Sequence, residues 1–326
     1  MIRIGVIGAG HLGKIHIKLI REISQLELVG FYDTDAQRAE LVSREMGAKP
    51  FESAEALLAA ADAVDVVSPT STHYGYVLAA LRQGKHVFVE KPLATTAEEA
   101  SELTETAREA GVKAMVGHVE RFNPAFLAVK NYLRNPMFIE AHRLAQFNPR
   151  GTDVPVVMDL MIHDIDLVRH VVASPLKRMH ASGVAVLSAS PDIANVRLEF
   201  NNGCVANLTA SRISLKQMRK MRLFQPDGYI SVDFLDKKSE IIRLSDHRDS
   251  ANPFALEVPV GQHSRWITFE RPTVLPLNAI KLELEHFADA IANDREPPVP
   301  FADGREALQI AGDIMRQIEL VSPVRA

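Results

Sequence analysis

The chain has 326 residues, of which 47% are apolar and 24% are charged, and its formal net charge is −4. These values are typical of a soluble globular protein with one large or two ordinary domains. They argue against nucleic acid or a membrane surface as a partner, because both attract basic proteins. The single cysteine, Cys204, excludes an intrachain disulfide. With no secretory signal pattern and no apolar run of about 20 residues, we expect a cytoplasmic protein.

Residues 1–119 alternate strand-like and helical runs, which predicts βαβ units and a parallel sheet with helices on both faces. A helix over 34–47 has Thr34 and Gln37 at capping-box spacing and Gly47 as its C-cap. The first domain is therefore expected to be an α/β domain with a doubly wound parallel sheet. Its strand-like runs are RIGVIG (3–8), LELVGFYD (26–33), DAVDVVSPT (62–70), HVFVEKP (86–92) and VKAMVGH (112–118).

The pattern changes after about residue 120. Helical stretches at 124–134 and 159–172 precede six strand-like runs between residues 179 and 245, which predict an open, mostly antiparallel sheet. Residues 252–276 read as Pro-rich and irregular, and helices at 278–293 and 303–321 close the chain. Residues 120–326 are thus predicted to be a second α/β domain, although the C-terminal helix can pack back on the first domain.

A dinucleotide-binding fingerprint follows the first strand. Gly8, Gly10 and Gly13 have the spacing G-x-G-x-x-G, with His11 and Leu12 between the last two. The glycines permit a tight turn, a close approach of the pyrophosphate and close packing of helix on strand. The helix that opens here would present free N–H groups and its positive dipole end to the pyrophosphate.

An acidic residue at the end of the second strand indicates which cofactor binds. Asp33 lies 20 residues after Gly13 and can accept hydrogen bonds from the ribose hydroxyls of NAD. It would repel the 2′-phosphate of NADP, although Arg38 on the next helix can soften this preference. We expect NAD, with NADP as the alternative, and we interpret Asp35 as a first-turn helix acid.

Three further motifs complete a pattern that resembles the glucose–fructose oxidoreductase/inositol dehydrogenase (Gfo/Idh/MocA) family. They are PTSTHYGY (69–76), VEKPLA (89–94), and Asp159 with His163 four residues later. The resemblance covers essentially the whole chain and implies a Rossmann domain joined to an α/β domain with an open, mostly antiparallel sheet. It also implies an NAD(P)-dependent dehydrogenase of a sugar, cyclitol or nucleotide-sugar. It implies catalytic roles for Lys91, Asp159 and His163, a contact of Glu90 with the nicotinamide ribose, and a cis Lys91–Pro92 peptide.

The chemistry of these residue types fits the same roles. His163 has a pKa suited to a general base that removes the hydroxyl proton while hydride leaves. Asp159, one helical turn earlier, can orient the imidazole or the substrate. Lys91, at the end of a parallel strand, can stabilise alkoxide character or bind the substrate. The alternatives are a hydrogen-bonded core histidine and a surface lysine.

A metal site is an alternative interpretation of the same helix. Asp159, His163, Asp166 and His170 follow one helical stripe. His163 and His170 would lie about 10 Å apart along the axis, too far to share an ion easily. We therefore expect no metal and a polar face that lines a substrate cleft. Asp166 is expected to be structural, and Asp164 and His170 to have no catalytic role.

The loop after the third strand-like run is expected to contact the cofactor. The backbone of Thr70 and the hydroxyls of Ser71 and Thr72 are candidates, and His73 starts the following helix. Capping of this helix by Ser71 or Thr72 is an alternative that does not exclude cofactor contact.

The stretch GHVERFNPAF (117–126) resembles family members that oxidise the C3 hydroxyl of UDP-N-acetylglucosamine or a related UDP-sugar. Arg121 can bind a carboxylate or phosphate, Asn123 a sugar hydroxyl, and Arg150 and Thr152 stand before the catalytic helix. Both arginines can equally be salt-bridge partners. Other hypotheses are a free-sugar or cyclitol dehydrogenase, an enzyme with NAD as resident cofactor for isomerisation or hydrolysis, and a non-catalytic nicotinamide-binding regulator. An open sheet face predicts a homodimer or homotetramer.

Overall fold

The computed structural model describes residues 1–148, 154–247, 255–260 and 263–321. The chain forms two compact units: residues 1–119 with 278–312, and residues 120–277 with the C-terminal residues from 313 onward. The predicted second domain, 120–326, therefore loses residues 278–312 to the first unit, and the prediction had allowed such packing only for the C-terminal helix.

The first unit is built on a parallel sheet, as predicted, with the strand order β2-β1-β3-β4-β5. The order changes direction between β1 and β3, and ligands bind at such switch points outside the carboxyl ends of the strands. β3 is buried along its whole length, as expected of a parallel strand covered on both faces. The strands are β1 (Ile2–Ile7), β2 (Leu26–Tyr32), β3 (Ala63–Val66), β4 (His86–Glu90) and β5 (Ala114–Gly117).

Helices alternate with these strands, and their ends follow from local sequence. The predicted capping box at Thr34 is wrong, because Asp35 is the N-cap of α2 and accepts a hydrogen bond from the Arg38 backbone. Gly47 is the C-cap, as predicted, with a φ of 60° that suits glycine. The helices are α1 (His11–Ile20), α2 (Ala36–Met46), α3 (Ala54–Ala60), α4 (Thr70–Arg82) and α5 (Ala97–Ala110), of which the short α3 was not predicted.

The second unit contains a large sheet with the order β13-β14-β12-β11-β10-β6-β9-β8-β7. All neighbouring strands are antiparallel except β6 and β9, which confirms a mostly antiparallel sheet. The strands are β6 (Phe138–Leu144), β7 (Leu176–Val184), β8 (Ile193–Phe200), β9 (Val205–Ser211), β10 (Met218–Gln225), β11 (Gly228–Asp233), β12 (Lys238–Ser245), β13 (Leu256–Val260) and β14 (His263–Glu270).

Strands β6, β13 and β14 were not predicted. The prediction of an irregular segment at 252–276 is wrong where β13 and β14 form. Pro259 argued against a strand here, because a proline removes one hydrogen bond between neighbouring strands. β13 is the edge strand of the sheet and tolerates this loss.

The helices of the second unit are short. α6 (Pro124–Val129) begins after Asn123, and α7 (Ile162–Val172) is preceded by a π-helical turn over Val157–Met161. The predicted helix at 159–172 is therefore not a regular α-helix at its start. The chain continues with α8 (Ala279–Ala292) and α9 (Phe301–Val321), and α8 packs against α1 and β4 within the first unit. No helix among the described residues is long and apolar enough to cross a membrane.

Candidate active site

The glycine loop after β1 is shaped by its own backbone contacts. Gly8 has a φ of 101°, and a Cβ built on it would lie 2.7 Å from the backbone nitrogen of Ser68. A Cβ on Gly13 would lie 2.0 Å from the carbonyl oxygen of Gly8, so neither position accepts a larger residue. A Cβ on Gly10 would meet nothing within 4 Å. The fold thus needs Gly8 and Gly13, while Gly10 leaves space for a ligand.

The N-terminus of α1 opens from this loop with its N–H groups uncapped. Gly10 is the N-cap, no side chain caps the helix, and its first turn carries no acidic residue. His11, which is exposed, and Leu12 begin the helix. An uncapped helix end with no acidic residue in its first turn suits an anion such as the pyrophosphate of a dinucleotide.

Asp33 follows β2 directly and links several parts of this region. Its carboxylate accepts hydrogen bonds from the backbone of Ala9 at 2.8 Å and of Asp35 at 2.9 Å. The guanidinium of Arg38 lies 3.2 Å from it, so the two residues that were expected to have opposite effects on cofactor choice are paired. Asp33 and Arg38 line a cavity of about 130 Å³ together with Gly8, Ser68, Thr72 and Tyr76.

The loop after β3 holds itself together through side chains. The Thr72 hydroxyl lies 2.7 Å from both the Ser68 hydroxyl and the Pro69 carbonyl, and Pro69 is the N-cap of α4. The alternative of N-capping by Ser71 or Thr72 is therefore not observed. The buried His73 ring has its nitrogens 2.9 Å from the Pro92 carbonyl and 2.8 Å from the Ser68 carbonyl. His73 thus joins two loops, and contacts of Thr70 and Ser71 with a cofactor stay predictions.

Glu90 and Lys91 stand at the carboxyl end of β4. The Lys91–Pro92 peptide is cis, as predicted. The Glu90 carboxylate accepts a hydrogen bond from the Lys91 backbone N–H at 3.2 Å. Both residues lie where parallel α/β sheets bind ligands.

In the second unit, Asp159 lies in the π-helical turn and His163 in the first turn of α7. Asp159 is exposed and His163 is partly exposed. The expectation that both residues lie on one face assumed a regular α-helix. The structure instead has a wider, π-helical turn at Asp159. Such turns are frequent at functional sites.

The other charged residues of this segment are tied to arginines. Arg143 donates to both carboxylate oxygens of Asp164, at 2.8 and 3.0 Å. Arg121 likewise donates to both oxygens of Asp166, at 2.5 and 2.8 Å, and its guanidinium lies 3.3 Å from the His170 ring. The predicted structural role of Asp166 agrees with this geometry.

The candidate substrate residues have clear structural partners. Arg121 is buried in its pair with Asp166, so the salt-bridge alternative is observed for it. Asn123 caps α6 and donates from its amide to Glu120 and to the Phe234 carbonyl. Contact of either residue with a substrate stays a prediction. Arg150 and Thr152 lie outside the described residues.

Sequence reasoning missed a group of buried ionisable residues in the first unit. His16, Asp65 and Glu283 are fully buried. Two signals were present in the sequence: a histidine on the apolar face of the first helix and an aspartate within the apolar run AVDVV. Neither had a visible partner in its own segment.

A parallel sheet with this loop and this helix end defines a dinucleotide-binding α/β protein, here joined to a unit with a large antiparallel sheet. Residues 2–118 match the model of an oxidoreductase family with an NAD-binding Rossmann fold, and residues 133–231 match the GFO/IDH/MocA C-terminal domain. The chain belongs to the Gfo/Idh/MocA oxidoreductase family, which confirms the resemblance described above.

The chain is similar to several characterised relatives. It is 37% identical to the UDP-N-acetylglucosamine 3-dehydrogenase of Acidithiobacillus ferrooxidans over 97% of each chain. A solved structure of that enzyme gives a TM-score of 0.88 at 36% identity over 98% of each chain. The scyllo-inositol 2-dehydrogenase (NAD⁺) of Bacillus subtilis is 27% identical over 95% of this chain and 92% of its own.

Proposed function

We propose that this protein is an NAD-dependent dehydrogenase that oxidises a secondary hydroxyl of a UDP-sugar, with C3 of UDP-N-acetylglucosamine as the preferred position. The observation that carries the proposal is the similarity to the UDP-N-acetylglucosamine 3-dehydrogenase along nearly the whole of both chains. The sequence GHVERFNPAF, at the passage from the first unit to the second, points to the same substrate class.

Each catalytic residue has a role that follows from its chemistry. NAD, when bound, would accept hydride from the substrate carbon. His163 takes the hydroxyl proton as general base, and Asp159 orients the imidazole or the substrate. Lys91 places a positive charge where the alkoxide develops. The Gly8–Gly13 loop and the N–H groups of α1 hold the pyrophosphate.

A screen for NAD reduction tests the proposal. UDP-N-acetylglucosamine, other UDP-sugars, free sugars, inositols and sugar acids are offered separately, and NADH is followed by absorbance. We expect net NADH formation with UDP-N-acetylglucosamine. Turnover of a free sugar or inositol without turnover of UDP-sugars would contradict the substrate. Product formation without net NADH would indicate a resident cofactor and a different reaction class.

Two variants test the base. His163→Asn should lower kcat by about 10²- to 10⁴-fold, the usual contribution of general acid–base catalysis, with NADH affinity nearly unchanged. His170→Asn is the matched control on the same helix and should have little effect, because its exposed side chain has no assigned role. Near-normal turnover by His163→Asn would refute this role. Inhibition by a chelator that added metal reverses would revive the metal site.

We also propose that NAD is preferred over NADP through Asp33. Its buried carboxylate is already held by two backbone N–H groups, so it stays in place to accept from a ribose. Calorimetric titration should show tighter binding of NADH than of NADPH, and Asp33→Ala should narrow the difference. Because Arg38 pairs with Asp33, Arg38→Ala should widen the difference by removing the cation available to a 2′-phosphate. Equal affinities in the native protein would contradict the proposal.

The oligomeric state is proposed to be a homodimer or homotetramer formed through the large sheet. Aromatic side chains cluster on β10 and its neighbours, where the Phe224 ring lies 5.9 Å from Phe138 and 5.0 Å from Tyr229, and Phe224 is 38% exposed. A partner subunit would cover this apolar surface. Light scattering should give a mass of two or four chains, and Phe224→Glu should reduce it. A monomeric native protein would overturn this proposal.

A further inference from the structure

Four ionisable side chains meet in the interior of the first unit, next to the carboxyl end of β4. They are His16 from α1, Asp65 from β3, Glu90 from β4 and Glu283 from α8. His16, Asp65 and Glu283 have no exposed surface, and 12% of the Glu90 side chain is exposed. Burying three carboxylates and one imidazole is costly unless contacts among them offset the lost hydration.

The contacts form a chain that ends at a proposed catalytic residue. His16 Nδ1 lies 2.8 Å from Asp65 Oδ2, and His16 Nε2 lies 3.3 Å from Glu90 Oε1. The other oxygen of Glu90 accepts from the backbone N–H of Lys91 at 3.2 Å. The His16 ring thus stands between two carboxylates, and the second of these fixes the backbone of Lys91.

The charges of the cluster agree with this arrangement. Although burial disfavours the imidazolium, the carboxylates of Asp65 and Glu90 raise the pKa of His16 well above its usual value. A charged ring carries a proton on both nitrogens, so one can be donated to Asp65 while the other faces Glu90 at ion-pair distance. Burial next to Glu90 raises the pKa of Glu283 well above its usual value. Neither carboxyl oxygen of Glu283 has a hydrogen-bond partner among the described residues, and this burial beside Glu90 favours the uncharged form of Glu283.

The space around Glu90 is restricted on a second side. A Cβ built on Gly117 of β5 would lie 3.1 Å from Glu90 Oε1, so the carboxylate lies directly against the glycine backbone. The ring of His73, which contacts the Ser68 and Pro92 carbonyls, also interacts electrostatically with Glu90. The Glu90 carboxylate is therefore confined between Gly117 and His16 and cannot rotate freely.

We propose that His16 is a positioning residue: held by Asp65, it fixes the Glu90 carboxylate and through it the backbone of Lys91. The proposal rests on the proposed function, because Lys91 is assigned a role in the reaction there. His16 itself acts only through Glu90. Its importance follows from the geometric demands of hydride transfer, where a misplacement of about 1 Å can cost about 10²-fold in rate.

Two substitutions separate the two contacts of the ring. His16→Asn places an amide near the Nδ1 position, so it can still donate to Asp65 but not to Glu90. His16→Gln places an amide near the Nε2 position and can still donate to Glu90. The control is His286→Asn, an exposed histidine on α8. Turnover is measured with NAD and UDP-N-acetylglucosamine, and NADH affinity by fluorescence titration.

We expect His16→Asn to lower kcat by about 10- to 100-fold with the NADH dissociation constant and the KM nearly unchanged. His16→Gln should recover most of the loss, and His286→Asn should match the native enzyme. Should a His16 variant fail to fold, Asp65→Asn removes the charge that orients the ring without changing the shape, and it should lower kcat by a smaller factor than His16→Asn. Unchanged kcat in the folded variants, or equal losses in Asn and Gln, would overturn the proposal.

A second readout does not depend on the substrate. Hydrogen exchange of a peptide that covers residues 88–93 reports the protection of the Lys91 amide. The amide should exchange faster in His16→Asn than in the native protein, and at the native rate in His16→Gln. If the native enzyme oxidised no sugar, the proposed function would fail while this measurement still decided the role of His16. Identical exchange in all variants would refute the role even in an active enzyme.

Discussion

Buried carboxylates in the second unit face arginines, whereas those in the first unit face a histidine and one another. Arg143 donates to Asp164 and Glu120 with N–O distances of 2.7 to 3.0 Å. Although burial disfavours its charge, these two carboxylates raise the pKa of Arg143. In the first unit, both oxygens of Glu283 lack a hydrogen-bond partner among the described residues.

The difference indicates two uses of buried charge. A network in which arginines bind buried carboxylates, two of them bidentately, fixes the positions of backbone segments, and removing one member leaves an uncompensated charge. A cluster with unsatisfied atoms lowers stability, and proteins retain such clusters mainly at functional sites. The arginine network thus serves the fold of the second unit, while the cluster around His16 lies beside residues with proposed roles in the reaction.

The largest expected effect is the loss of the arginine network. Arg143→Met leaves Asp164 and Glu120 buried without their cation, and it should lower the free energy of unfolding by about 3–5 kcal/mol. Urea denaturation followed by circular dichroism measures this change. The matched control is Arg219→Met, because Arg219 is 49% exposed at 4.0 Å from Glu120; its effect should be below about 1 kcal/mol. Equal effects of the two substitutions would contradict a stabilising role for the buried arginine network.

A further buried carboxylate of the second unit, Asp192, lies 3.7 Å from the Arg212 guanidinium but accepts its hydrogen bonds mainly from backbone groups. Asp192 is buried, and its oxygens accept from the backbone N–H groups of Val186, Leu187 and Ser188 and from the Ser188 hydroxyl. Burial alone would raise the pKa of Asp192, but these hydrogen bonds lower it to about 2.

A lowered pKa stabilises the folded state above the ordinary aspartate pKa, and the stabilisation is lost as the pH falls through about 2. Asp192→Asn should therefore lower the free energy of unfolding by about 2 kcal/mol at pH 7. The difference from the native protein should shrink between pH 4 and pH 2. A difference that did not depend on pH would show that packing, and not the charge, is responsible.

The cluster of the first unit should respond with the opposite sign. Because the folded-state pKa of Glu283 is raised, the native protein loses stability as the pH rises above the ordinary glutamate pKa, where only the unfolded chain releases the proton. Glu283→Gln removes this loss. The difference in free energy of unfolding, variant minus native, should therefore increase by up to about 1.4 kcal/mol for each unit that the pH rises. Thermal melts at pH 5 and pH 6 measure it. Glu285→Gln, two residues along α8, should show no such trend, and a flat difference for Glu283→Gln would contradict a neutral carboxyl group.

The smallest effect is expected where charges are paired but exposed. Arg44 and Glu40 form an i,i+4 pair on α2 with side chains 75% and 64% exposed. Arg44→Ala should change the free energy of unfolding by less than about 0.5 kcal/mol, because water screens such pairs. A loss comparable to that in Arg143→Met would mean that burial does not decide the strength of these pairs.

The fold of the first unit could be predicted from patterns of residues that lie close together in the sequence. The glycine spacing, the acid after β2 and the alternation of strand and helix depend on residues close in sequence, so the parallel sheet and the loop at Gly8 could be predicted. The missed elements each lacked a local signal. α3 is only seven residues long, and β13 contains a proline that its place at the sheet edge tolerates.

Tertiary partners could not be predicted from local patterns. Arg121 and Asp166 are 45 residues apart, so no local pattern indicates that the two residues pair. Glu283 joins His16 because α8 packs against α1, although these helices lie near opposite ends of the chain. Periodicity identifies a charged residue on an apolar face, but only the packed fold shows which charge it meets.

The π-helical turn before α7 makes the orientation of Asp159 relative to His163 sensitive to insertions and deletions. Such a turn holds one residue more than an α-helical turn, so deleting one residue within Val157–Met161 would restore a regular helix. Every side chain upstream would then rotate by about 100° relative to α7. The deletion of one residue would therefore change the direction in which Asp159 faces relative to His163. A change in the length of this short segment would therefore alter the relative orientation of the two proposed catalytic residues more than most substitutions would.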